Sequence, residues 1–221
     1  MLNKEALKLY LDAFYETLYI VGVTGVFVLL FGFIIGFTLY MTQNPYLMKQ
    51  TKTVKVIHRV ISTLNDIFRS IPFIILLIMM IPITRILVGT MLGPKAAIPA
   101  LIISATPFFA RVVHMSLFEV SNDTIEAVQS MGGQFKYLLY VIFKEALPSL
   151  VSGYTLTVVT LIGFMSAAAV IGAGGLAFLA YEYGKFGSNY PLMYLSIFTI
   201  LALVFIIQIT GDKISRKLDH K

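Results

Sequence analysis

The sequence predicts an all-α integral membrane protein with five transmembrane helices, and three observations carry that prediction. Of 221 residues, 58% are apolar and 13% charged, with a mean hydropathy of +0.86, a composition far from that of a soluble domain. Charge is absent from residues 17–48, 146–181 and 186–211, and each stretch exceeds the about 20 residues needed to cross a bilayer. Two further apolar segments, 62–83 and 96–118, keep their charges near one end. The chain therefore reads as one membrane domain over 1–221, with approximate spans at 17–41, 62–83, 96–118, 148–171 and 191–211 and a polar segment at 121–146.

The N-terminal stretch mixes Lys4 and Lys8 with Glu5, Asp12 and Glu16, and the apolar run after it is too long for the core of a cleavable signal. Leu2, Ala6, Leu9 and Ala13 share one helical face, which leaves two readings open: a short helix lying at the membrane interface, or an N-terminal extension of the first span. That span carries Gly32 and Gly36, a pair spaced to let a second helix approach closely. The second span contains Asp66 and Arg69, three apart and so on one helical face. There they could pair with each other. Only fifteen uncharged residues separate Arg69 from Arg85, too few to span, so either both of those ends snorkel toward headgroups, or Asp66 and Arg69 point into the bundle and help close its cytoplasmic end. Pro72 and Pro82 are expected to kink this helix.

In the third span Pro107, Arg111, His114 and Phe118 form one stripe. With no further ligand at metal spacing, His114 is read as a buried or interfacial hydrogen-bonding histidine, and no metal site is expected. The fourth span carries Ser166-Ala167-Ala168-Ala169 and ends in Gly172-Ala173-Gly174-Gly175; the glycines are expected to stop the helix and turn it. A short outer segment, 176–189, then leads to the last span.

Lysine and arginine set the orientation. One side of the alternating loops holds Lys49, Lys52, Lys55, Arg59, Arg111, Lys136, Lys144, Lys213, Arg216, Lys217 and Lys221, eleven in all, and the other holds Lys4, Lys8, Arg85, Lys95 and Lys185, five. The N-terminus is thereby expected outside, with the C-terminus and the 121–146 segment in the cytoplasm. These loops account for the net charge of +6 without a nucleic-acid partner. The chain has no cysteine, which excludes disulfides and thiolate metal sites.

The segment 121–146 is the functional clue. Asp123 stands three residues before Glu126, a capping-box-like start for a helix over about 124–131. Gly132 and Gly133 stop that helix, and a second one leads back to the bilayer at Pro148. An ordered helix, tight turn and helix outside the bilayer indicate a docking site for a partner protein. The chain contains no phosphate-binding loop, zinc-protease pair or nucleophile constellation, so it is not expected to be an enzyme or to use ATP by itself. The glycine run at 172–175 lacks the strand and helix of a dinucleotide fold.

Glu126-Ala127, four positions on to Gly132, then Ile142 and Leu147-Pro148 resemble the cytoplasmic coupling motif of bacterial ABC importer permeases. Phe68-Arg69-Ser70-Ile71-Pro72-Phe73-Ile74-Ile75-Leu76-Leu77, Ile81-Pro82-Ile83-Thr84-Arg85, Val88-Gly89-Thr90, Glu145-Ala146-Leu147-Pro148 and Gly172-Ala173-Gly174-Gly175-Leu176 are similar to the methionine-import permease subfamily over nearly the full chain. Two positions depart from the coupling motif: Val128 replaces its second alanine, and Lys144-Glu145 occupy its nominal Leu-Pro positions, the proline arriving at Pro148.

The resemblance implies a type I ABC importer permease fold and a homodimer of this chain in a bacterial inner membrane. It also implies two cytoplasmic ATPase subunits that bind ATP and magnesium, an extracytoplasmic substrate-binding protein, and methionine as substrate. No cofactor of the chain's own is expected. The ATPase-coupling residues are Asp123, Glu126, Ala127, Met131, Gly132 and Gly133. A translocation path is expected along the fourth span at Phe164, Met165, Ser166 and Ala167, with Asp66 and Arg69 near its inner mouth; plain helix packing is the competing reading of these residues. The alternatives are the same architecture carrying another small solute, and an ion-coupled carrier relaying through Asp66 and Arg69.

Overall fold

The computed structural model describes residues 4–187 and 189–219. Leu2 and Lys221, used above for the first helical face and the charge count, lie outside the described residues, as does Ser188 before the last span. The described residues form α1 (Lys4–Gln43), α2 (Lys52–Ser70), α3 (Phe73–Val88), α4 (Pro94–Phe118), α5 (Asn122–Ser130), α6 (Phe135–Ala168), a 3-10 turn (Ala169–Ile171), α7 (Gly175–Lys185) and α8 (Tyr190–Leu218). Helices α1, α4, α6 and α8 are each long and apolar enough to cross a membrane, and α2 with α3 passes the same test as one broken segment. Taken as one span, that segment completes the expected five.

The first ambiguity resolves in favour of extension: α1 runs without interruption from Lys4, and its N-terminal turns pack Ala13 against a small apolar cluster with Leu176, Leu179 and Leu192. The second span needs correction. It is not one kinked helix over 62–83 but two helices bent by 105° at Ile71 and Pro72. Proline disfavours the helical region for the residue before it, and Ile71 is accordingly extended at φ −76° and ψ 123°. Pro82 ends no element and lies inside α3.

Helix α4 is the centre of the bundle, with α1, α2, α3 and α6 packed around it. Its Leu101, Phe109, Val113 and Leu117 are all but inaccessible. Gly32 and Gly36 are used here, inside the chain: a Cβ at Gly32 would lie 2.8 Å from the Phe109 ring, and one at Gly36 would strike the Ala110 carbonyl oxygen. Opposite, a Cβ at Gly153 of α6 would strike Val112. Helix α2 has a single buried residue, Asn65, whose side-chain amide donates to the Pro107 carbonyl at 3.2 Å, and its His58 Nδ1 bonds the Thr42 hydroxyl of α1 at 3.0 Å.

The glycine turn after α6 behaves as expected, with Gly172, Gly174 and Gly175 all at positive φ. Gly174 has no side chain with which to cap α7, so α1 supplies the acceptors. The Glu16 carboxylate accepts from the Gly175 amide and the Thr17 hydroxyl from the Leu176 amide, each at 2.8 Å. Those amides would otherwise be orphaned, and a carboxylate also suits the positive end of a helix.

Candidate functional site

Helix α5 starts two residues earlier than the sequence indicated, at Asn122. Its N-cap is Ser121, whose hydroxyl oxygen accepts from the Asp123 amide at 3.1 Å. Asp123 is thus an exposed first-turn acid rather than the cap, a position that still favours negative charge. The C-terminal end is a Schellman turn: the Gly132 amide donates to Gln129 O at 3.0 Å and the Gly133 amide to Val128 O at 2.9 Å. The two glycines serve different needs. Gly132 sits at φ +74° with open space around it, whereas a Cβ on Gly133 would meet Val128 Cγ1 at 2.6 Å.

Only Ile125 and Val128 of α5 are buried, in the same cluster as Val120, Leu138 and Ile142. Val128, the departure from the coupling motif, is therefore an anchor whose side chain occupies the space that Gly133 leaves free. Asp123, Glu126, Ala127 and Met131 are exposed, Met131 at 76%, so the helix presents its acid–alanine–methionine face outward on a fixed base. The sequence-predicted coupling residues come together on this one element and its turn.

One contact was not legible in the sequence. Tyr46, in the turn between α1 and α2, donates its hydroxyl to Glu126 Oε1 at 2.6 Å, and its carbonyl accepts from Gln129 Nε2 at 3.4 Å. The bond to Glu126, and then the charge of Glu126, raise the Tyr46 pKa above the ordinary tyrosine value, so the phenol remains a donor throughout the neutral range.

The proposed path residues divide. Phe164 stacks on Phe73 of α3 with centroids 4.8 Å apart, and Met165 is buried in the main core. Ser166 is exposed, its hydroxyl donating only to Ile162 O of its own helix, and Ala167 is half-buried. The open face thus runs from Gly163 and Ser166 of α6 to Val170 of the 3-10 turn, all exposed, with nothing within 4 Å of a Cβ at Gly163. Asp66 and Arg69 are both exposed on α2, before the bend, with no ion pair between them among the described residues. His114 is buried and hydrogen-bonded as expected, Nε2 to Gln43 Oε1 at 2.6 Å. It lines a cleft of about 420 Å³ with His58, Ser62 and Arg111. No metal-binding group of three or more candidate ligands occurs among the described residues.

A family model described as binding-protein-dependent transport system inner membrane component matches residues 45–220, from the Tyr46 turn through α8. The chain belongs to that family. This inner membrane component is 42% identical over 211 residues to the methionine import system permease protein MetP of Bacillus subtilis (strain 168), covering 95% of this chain and 93% of that protein. It is also 42% identical over 151 residues to the D-methionine transport system permease protein MetI of Escherichia coli (strain K12), covering 68% of each. Among solved structures, a chain of the MetNI methionine ABC transporter in an inward-facing conformation superposes with a TM-score of 0.89 at 38% identity, over 99% of this chain and 100% of that one.

Proposed function

We propose that this chain is the permease subunit of an ATP-driven methionine importer, and that α5 is where its ATPase partners engage. The chain itself is not an enzyme; ATP hydrolysis belongs to separate ATPase subunits, which would hold the nucleotide and magnesium. The observation that carries the reading is α5: a short, doubly capped helix outside the apolar spans, fixed underneath by Ile125 and Val128 and open above at Asp123, Glu126, Ala127 and Met131. A helix so mounted transmits displacement rather than absorbing it. Similarity at 42% identity over nearly the full chain to a permease named for methionine supports the substrate.

Two copies of the chain would line the path between them, since one bundle buries its own core and leaves Ser166 on an outer face. An extracytoplasmic binding protein would deliver methionine from the side opposite α5. In this reading the N-terminus is outside and the C-terminus cytoplasmic, in agreement with the lysine and arginine bias. Closing of the ATPases around ATP would move α5 as a rigid body.

The test is uptake of labelled L- and D-methionine into proteoliposomes holding this chain, its ATPase subunits and the binding protein. Uptake is expected only with ATP and only with all components present. Gradient-driven uptake by the chain alone, indifferent to nucleotide, would overturn the proposal in favour of the ion-coupled carrier.

A further inference from the structure

The turn between α1 and α2 is tied to α5 by a continuous chain of hydrogen bonds that begins in the protein core. Tyr40, buried near the inner end of α1, accepts at its hydroxyl from Asn44 Nδ2 at 3.4 Å. Asn44 is itself buried, and its Oδ1 accepts from the Tyr46 amide at 2.9 Å, the two-residue return of an Asx turn. Tyr46 then grips α5 at two points three residues apart: the Glu126 carboxylate through its hydroxyl and Gln129 through its carbonyl. Residues three apart lie on one helical face, so the grip spans nearly a full turn of a nine-residue helix.

This grip answers a mechanical need. With only Ile125 and Val128 buried, α5 has a single apolar edge and would be free to roll about it. Fixing Glu126 and Gln129 from the other side of that edge stops the roll. Glu126 Oε1 is committed within the chain, which fixes the direction in which the carboxylate presents its second oxygen.

We propose that Tyr46 is a positioning residue for coupling: it acts through Glu126 to hold α5 at one rotation and makes the α1–α2 turn a second arm of the coupling device. This rests on the reading of α5 as the ATPase-engaging element. The path is physical and contiguous, from the Tyr40 hydroxyl through Asn44 and Tyr46 to Glu126, so a displacement of α5 loads α1 as well as α4 and α6.

The test uses the reconstituted complex of this chain with its ATPase subunits and binding protein, and reads methionine taken up per ATP hydrolysed. Tyr46→Phe removes only the hydroxyl donor. It is expected to leave co-purification of the ATPase subunits intact and to lower uptake per ATP by about threefold to tenfold, the range for losing one typical hydrogen bond, which suits this exposed contact. Glu126→Ala is measured alone and combined with Tyr46→Phe. Because Tyr46 works through Glu126, the second substitution is expected to add no further loss to the first, which a general packing role for the ring would not produce.

A wild-type ratio in Tyr46→Phe, or losses that multiply in the double variant, overturns the role of Tyr46 while leaving α5 as the coupling element. Undiminished uptake in Glu126→Ala overturns both. Amide exchange over residues 122–130 in the full-length chain covers a variant that fails to assemble: faster exchange in Tyr46→Phe is expected, and unchanged exchange overturns the proposal.

Discussion

Replacing Gly36 by alanine should separate α1 from α4, and the cost follows from the contact. An ideal Cβ at Gly36 falls 2.7 Å from Val113 Cβ and 3.0 Å from its Cγ1, and closer still to the carbonyl oxygen of Ala110. Carbon atoms in contact rest at about 3.5–4.0 Å, so the Val113 approach alone is short by about 0.8 Å. A rotamer change can move Val113 Cγ1 but not its Cβ, and the Ala110 carbonyl is likewise fixed by the α4 backbone. The helices must therefore part, and a gap of about 0.5–1 Å forfeits a quarter to a half of each dispersion contact across it. Overpacking of this kind costs about 1–3 kcal/mol, against which alanine regains about 0.5–1 kcal/mol of helix propensity. A net loss of about 1–2 kcal/mol corresponds to a fall of about 2–8 °C in melting temperature for a chain of this size. The assay is thermal unfolding of the purified protein in detergent, with Gly22→Ala as the control. Gly22 lies in the same helix, but nothing stands within 4 Å of its Cβ, so that variant should melt at or slightly above wild type. Gly36→Ala melting as high as Gly22→Ala would refute the reasoning.

At the end of α5, Gly132→Ala should cost about 1–2 kcal/mol through left-handed strain alone, because its surroundings are open, whereas Gly133→Ala should push Val128 off its seat. Amide exchange over residues 125–131 is expected to rise in both, and to reach Ile142 only in the second. The Tyr46 phenol, its pKa raised by the bond to Glu126, favours the protonated form in the folded state. Its stabilising contribution is therefore fully present below the ordinary tyrosine value of about 10 and is lost as pH climbs through the raised value. Ultraviolet titration of wild type against Tyr46→Phe should show the missing tyrosine among the latest to ionise. Ser166→Trp places a large ring on an exposed face where the hydroxyl bonds only its own helix; it should leave the melting temperature near wild type and abolish uptake, and unchanged uptake would remove α6 from the path.

The elements most legible in the sequence were those whose signal is local. Charge-free stretches located α1, α6 and α8, because transfer of charge into hydrocarbon is costly over the whole span, and α4 was found as an apolar segment with its charges near one end. The glycine pair at 132–133 ended α5, because one backbone position there needs a positive φ. The broken second span was half legible: Pro72 gave the place of the bend, but a kink and a turn of 105° share the same local cause. The angle goes with tertiary packing on both sides of the bend: Asn65 of α2 reaches the Pro107 carbonyl, and Phe73 of α3 stacks on Phe164. Gly32 and Gly36 announced a close helix approach without naming the partner, which is α4 of the same chain. The path residues were least legible. The run Phe164 to Ala167 turns through most of a circle of helix, so its members face a neighbouring helix, the core and the outside in succession. Tyr46 carried no local signal, since its partner lies 80 residues away.

The route from α5 into the spans has one structural peculiarity. Helix α6 begins four residues after Met131 and continues unbroken for 34 residues, about 50 Å at 1.5 Å per residue, so it joins the turn under α5 to the buried Met165 at its far end. A straight lever of that length would bend at its weakest point, and that point is Pro148, which donates no hydrogen bond to the Lys144 carbonyl. Two neighbours grip α6 there. The Ser215 hydroxyl of α8 donates to the Pro148 carbonyl at 2.8 Å, while Ser149 donates to Glu119 Oε2 at 3.0 Å and bonds Ser116 of α4 at 2.9 Å. Ser152 adds a bond to Ser215 at 2.8 Å. Polar contacts thus concentrate where the backbone ladder is interrupted and hold that point of α6 against both flanking helices. On the proposed coupling role of α5, a displacement entering there would meet α6 held at Pro148 by both flanking helices.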